Sequence, residues 1–266
     1  MLPGITKIIR NMKSNLSFTI CVLFLSSFFI SCQKEIVVDD LPGAVSLKLK
    51  TYIEDARNTP YNSIDTFNVT YDSQDRILSL VSNSSGGKFL YEYNMGNYAL
   101  EIKDHDHVII RDVSYINGAG LVDSTFQVND TQDSSTSKLI YNLNKQVIEE
   151  RSYIYSLVSG ATLDGISYYT YDANGNATTY VEKTASGEMI STTTYTYNNI
   201  LNTVFLTPSY HPLPFKNLPI TKSVYFPGSG SETSTTEYTL DSSNRVIMEK
   251  ETVAGGVFVI KRYEYY

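Results

Sequence analysis

No tryptophan occurs in the 266 residues, and there are only two cysteines and three histidines. Both cysteines, Cys21 and Cys32, fall in the first 32 residues, so no disulfide can staple the body of the chain. Stability must then come from packing and sheet hydrogen bonds. The scarcity of histidine leaves few nitrogen ligands for a transition metal. Basic residues are outnumbered, 21 against 28 acids, for a formal charge of −7. Phosphate binding needs a basic face, so a nucleic-acid partner is excluded. The body also lacks helical periodicity.

Other absences concern chemistry. There is no nucleophile-elbow Gly-x-Ser-x-Gly, zincin helix, phosphate loop or dinucleotide fingerprint. No cofactor is implied, and the chain reads as a non-enzyme. Paired carboxylates for glycoside hydrolysis have no local signature to test.

What is present begins with an address. Lys7, Arg10 and Lys13 precede an apolar run from Leu16 to Ile30, and no acid occurs before Glu35. That is a secretory signal, with Met1 or Met12 as its start. The run is short for a spanning helix, which needs about 20 residues. It ends in "FFISCQKE", with Ser31 in the small position before Cys32. This end resembles a bacterial lipobox. The resemblance implies cleavage before Cys32, lipidation of its thiol and an outer-membrane lipoprotein, with the membrane as a partner through the anchor. "CQKE" partly resembles the export tag of surface lipoproteins in Bacteroidota, which would place the protein on the cell surface. The expected domains are a signal over 1–31, a tether over 32–44 and one all-β domain over 45–266.

Tyrosine is abundant, at 22 residues, and it marks a repeat. "YDSQDRILSL" (71–80) returns as "YDANGNATTY" (171–180) and "LDSSNRVIME" (240–249), with weaker copies at Asn94, Asn117, Asn142 and Asn198. The opening Asp or Asn accepts backbone N–H bonds two residues on. Gly120, Gly175, Asn244 and Asn97 fall where a hairpin needs a left-handed residue; Asp75 and Lys145 suit that place less. Tyrosine pairs such as Tyr91/Tyr93, Tyr169/Tyr171, Tyr195/Tyr197 and Tyr263/Tyr265 share one strand face, with Thr, Ser, Glu and Lys on the other. The expectation is an antiparallel meander of about 12 to 15 strands, curled or barrel-like because no helix covers it.

The motif resembles the YD repeat of Rhs-type proteins. More closely, the chain resembles a group of Bacteroidota lipoproteins with degenerate YD-like hairpins and a late "KNLP" segment, here Lys216–Pro219. The resemblance covers roughly 45–266 and implies architecture and address, but no activity.

Three local features are candidate sites. "DHDH" (104–107) offers His105 and His107 as weak metal ligands, or is an exposed hairpin end. "FLTPSYHPLPFKNLP" (205–219) breaks the hairpin rhythm with four prolines. It reads as a strap over an edge or open end, or as a ligand-contact loop through Tyr210, His211, Phe215 and Lys216. "DST" (123–125) resembles a short O-glycosylation sequon. The function expected is non-catalytic binding of a glycan, a peptide or an envelope protein on a tyrosine-rich sheet. The alternative is a periplasm-facing carrier of a lipid or other hydrophobic ligand.

Overall fold

A computed structural model describes residues 48–57, 62–131, 133–156, 160–204, 215–253, 256 and 258–266. Cys32, Tyr210 and His211 lie outside them. The elements are β1 (Leu49–Asp55), β2 (Ile64–Tyr71), β3 (Ile77–Ser82), β4 (Gly87–Asn94), β5 (Asn97–Asp104), β6 (His107–Ile116), β7 (Val122–Asn129) and β8 (Ser134–Tyr141). They continue with β9 (Val147–Ser156), β10 (Gly160–Tyr171), β11 (Ala177–Thr184), β12 (Met189–Leu201), β13 (Asn217–Phe226), β14 (Gly230–Leu240), β15 (Val246–Val253) and β16 (Phe258–Tyr265). Each strand pairs antiparallel with its sequence neighbours, and β1 pairs with β16 to close a barrel. Closure leaves no sheet edge unpaired.

The strand number exceeds the sequence expectation for a simple reason. The repeated motif marks only one rim. The turns it forms, at 72–76, 117–121, 142–146, 172–176 and 241–245, all lie there. The opposite rim is turned by unrelated short sequences, including Asn83–Gly86, His105–Asp106 and Ala185–Glu188. Those carry no recurring signal.

At the motif rim the turn chemistry is uniform. Asp72 Oδ1 accepts from the N–H groups of Gln74 and Arg76, at 2.8 and 3.0 Å. Asp172 does the same with Asn174 and Asn176, and Asp241 with Ser243 and Arg245. Asn117 and Asn142 follow suit. Gly120, Gly175 and Asn244 are left-handed as expected, and so are Asp75 and Lys145, at φ of 62° and 63°. Asn97 is not. Its hairpin is a two-residue turn in which Asn94 pairs with Asn97 and Gly96 is left-handed. The loop is shorter than at the other motif turns, so the left-handed position falls one residue earlier, on Gly96.

The tyrosines lock this rim. Tyr93 donates its hydroxyl to the carbonyl of Ile77 at 2.7 Å, Tyr141 to Val122 at 2.6 Å and Tyr171 to Val147 at 2.8 Å. Tyr197 reaches Ala177, Tyr238 reaches Pro219 and Tyr265 reaches Val246. In five of these six the acceptor is the first strand residue after the preceding motif turn; Pro219 is the third residue of β13. Those aliphatic residues are themselves buried: Ile77, Val122, Val147, Ala177 and Val246. A carbonyl buried there must find a donor, and the next tyrosine supplies it. Leu240 stands where a tyrosine is expected before Asp241, and Tyr238, two residues earlier on the same face, takes over.

Candidate functional site

A single-layer barrel can bury side chains only on its inner side. Cross-strand pairing therefore assigns the faces. Tyr52 opposes Phe67 and Tyr263, stacked at 5.8 and 5.7 Å, and Tyr169 opposes Tyr180 at 5.0 Å. Tyr52, Tyr91, Tyr98, Tyr169 and Tyr263 are all buried. The tyrosine-rich face is thus the interior. A few aromatics do face out, among them Tyr115, Tyr155 and Tyr225.

The outer face is polar and charged at mid-strand. Arg111 pairs with Glu101 at 3.0 Å, Lys103 with Glu101 at 3.0 Å and Arg151 with Glu149. Lys138, Lys250 and Arg262 lie in equivalent central positions. From β10 to β14 the charges give way to hydroxyls, in a row Thr170–Thr179–Thr194–Ser223–Thr233. A barrel that crosses a bilayer carries an apolar outer band about 25 Å tall, and an Arg or Lys at its middle costs about 2–4 kcal/mol. Among the described residues these mid-strand charges interrupt any such band, although one outward row, Ala99–Val113–Phe126–Thr136–Tyr153, is mostly apolar.

The interior also carries acids that share the tyrosine face. On one side Lys261, 6% exposed, meets Glu249 at 3.3 Å, and Tyr263 donates to the same carboxylate at 3.0 Å. Lys222, on β13, has its pKa lowered by burial, with Glu251 opposing the effect. Tyr52 donates to Glu54. Asp65 gathers the hydroxyls of Ser82, Ser84 and Ser85.

The other side, β4 to β12, holds acids, and among the described residues no Lys or Arg shares its inward rows. Glu150, Ser167, Glu182 and Ser191 form one inward row. Tyr169 donates to Glu150 at 3.2 Å, and Ser191 donates to Glu182 at 2.9 Å. Asp112 lies in another inward row, Tyr91–Leu100–Asp112–Gln127–Ser135–Ile154. Burial, and then the charge of Glu150, push the Asp112 carboxyl up to about 7. Ile154, in that same row, is 50% exposed, so the inner face meets solvent towards the rim opposite the motif turns.

The sequence candidates fare differently. Phe215 packs inward, its ring 4.9 Å from Tyr195 and 5.7 Å from Tyr197. Lys216 is exposed, and its carbonyl accepts from the Asn202 N–H at 3.0 Å. These two residues share no contact surface. The flanks of the proline-rich segment are tied into neighbouring motif turns. Buried Asn176 accepts from the Asn217 N–H at 2.7 Å, and buried Thr203 accepts from the Val246 N–H at 3.1 Å. His105 forms the β5–β6 turn with φ of 55°, bonded to Asp104 at 2.7 Å, and exposed His107 stands 3.8 Å from Asp130. Among the described residues no three metal-ligating side chains converge. Thr125 of the sequon pairs with Ser114 on the inner face, and its neighbour Ser124 pairs with exposed Tyr115 on the outer one.

Asp112, Glu150 and Glu182 were not singled out from the sequence. The signal was parity: "IIRDVSY" places Asp112 in step with buried Ile110 and Ser114.

No family model matches the chain, and no curated protein matches it. Solved structures do. A porin-like protein from Bacteroides uniformis ATCC 8492 superposes with a TM-score of 0.61 at 13% identity, covering 84% of this chain and 98% of that one. A porin-like protein from Bacteroides vulgatus ATCC 8482 gives 0.59 at 10% identity, covering 82% and 98%. At these identities the likeness is one of fold: an all-β antiparallel barrel.

Proposed function

We propose that this is a non-catalytic lipoprotein of the bacterial envelope, held to the outer membrane through Cys32, whose barrel binds a polar ligand in its interior. The observation that carries the reading is the division of faces. Tyrosines and carboxylates line the inside, and ion pairs and hydroxyls cover the outside. A barrel with that exterior belongs in water, so the acyl anchor, and not the strands, supplies the membrane attachment. The porin-like neighbours support an envelope setting. Stacking tyrosine faces beside hydrogen-bonding acids suit a glycan or a peptide. The inward carboxylates count against the alternative of a lipid carrier.

Two measurements test this. Cells grown with an alkyne fatty acid should label the wild-type protein and leave Cys32→Ala unlabelled; equal labelling of both removes the anchor. Titration with glycan and peptide panels should perturb tyrosine fluorescence or the chemical shifts of inward residues. Shifts confined to outer residues such as Tyr115 and Tyr225 would place binding on the exterior instead.

A further inference from the structure

The inner acids are unequally served. Glu249 has Lys261, and Glu251 has Lys222 nearby. Glu150 and Glu182 have hydroxyl donors only. Asp112 has neither: among the described residues no donor reaches its carboxylate, and no cation bears on its ionisation. Asp112 is half-buried, and a carboxylate withdrawn from water is costly unless it is paired. The groups facing it are Glu150, with Tyr91 and Tyr98 close enough for its charge to raise their pKa values. Tyr169 and Tyr180 stand in the same relation to Glu150, and Tyr180 to Glu182 as well. The result is an electronegative, aromatic-walled region into which no Lys or Arg of the described residues is directed.

Such a combination is how proteins hold ammonium groups, through a carboxylate partner and the negative faces of aromatic rings. The carboxylates do not converge as metal ligands would, which favours an extended organic cation over a metal ion. We infer that the interior between β4 and β12 is a binding site for a small organic ammonium ligand, with Asp112 as its charge partner and Tyr91, Tyr98, Tyr169 and Tyr180 as the surrounding wall. The inference rests on the interior-binding reading above and narrows its ligand class.

The absence of tryptophan makes the test clean, because Ile154→Trp places a single reporter on the inward row of Asp112. The full chain carrying it, in non-ionic detergent, is titrated with tetramethylammonium chloride, with spermidine and with neutral oligosaccharides. The expected result is saturable binding of the ammonium probes at pH 8. Binding weakens about tenfold or more at pH 5.5, as Asp112 takes up a proton, and by a similar factor in Asp112→Asn. Thermal melting confirms that the variant is folded. No ammonium binding, or binding indifferent to Asp112→Asn, overturns the inference. In that event a response to the oligosaccharides keeps the interior as a binding site, and silence to every probe removes that reading too.

Discussion

Tyr171 donates its hydroxyl to the carbonyl of Val147, 24 residues earlier, at 2.8 Å. The bond joins one repeat to the one before it, and the same link recurs around the rim. Tyr171→Phe keeps the ring and strands a buried carbonyl, which costs about 1–3 kcal/mol. Tyr238→Phe should behave alike. Tyr155→Phe, on the exposed outer face, should change stability by less than about 0.5 kcal/mol. Urea unfolding of the three variants checks the contrast. Equal effects would mean that the hydroxyl ladder contributes nothing specific.

Asn244 has φ of 59°, and its N–H reaches the Asp241 carbonyl at 3.1 Å. Proline forbids that angle and removes that donor, so Asn244→Pro should cost about 3 kcal/mol or more. His105 is also left-handed, but exposed, and its side chain bonds only to its neighbour. His105→Ala should cost about 1 kcal/mol or less, and His105→Gly should be neutral or slightly stabilising. A large loss in either histidine variant, read by thermal melting, would reveal a role beyond the turn.

Asp112 sets a pH dependence of unusual sign. Its folded pKa, about 7, lies above the unfolded carboxylate value. The folded barrel therefore holds a proton that the unfolded chain releases, and stability falls as pH rises from about 4 to about 7. Asp112→Asn removes this effect. At pH 8 it should stabilise the barrel by on the order of 2 kcal/mol or more, and at pH 4 by little. Asp72 and Asp241 run the other way. Burial acts to raise their pKa values, but hydrogen bonds from Arg76 and Arg245 and from backbone N–H groups more than offset it, so the net shift is downward. Their contribution is present above the unfolded pKa and is lost as pH falls through the folded value. Melting curves of wild type and Asp112→Asn across pH separate the two behaviours.

The polar exterior makes a prediction about handling. Chain beginning at residue 33, without the proposed signal and acylation site, should stay monomeric in buffer without detergent. Sedimentation velocity decides it. A requirement for detergent would mean that the outer face is buried in lipid after all.

Much of the scaffold was legible in the sequence because its turns have local chemistry. An Asp or Asn that caps a turn, and a Gly or Asn three residues later, are set by backbone geometry alone. Asp75 and Lys145 were harder to place, since Asp and Lys take a left-handed angle only where the surrounding hydrogen bonds hold them there. Closure was not legible. Tyr52 meets Tyr263 across more than two hundred residues, and nothing local marks that pairing. The interior was half legible. Alternation groups Tyr169 with Tyr171, but it does not say which side of a closed sheet they occupy. Nor did composition reveal that Glu150 and Glu182 share that side, because a solvated acid and an enclosed one are spelled alike.

The seam between β1 and β16 governs when the barrel can exist at all. During synthesis the first strand waits, with an open edge, until the last one has been made. Until then two unsatisfied edges are available to other chains, and the long delay favours aggregation over closure. A protein built this way depends on being kept from pairing with other chains until then. Deleting only 258–266 should abolish folding of all sixteen strands, and not merely trim one.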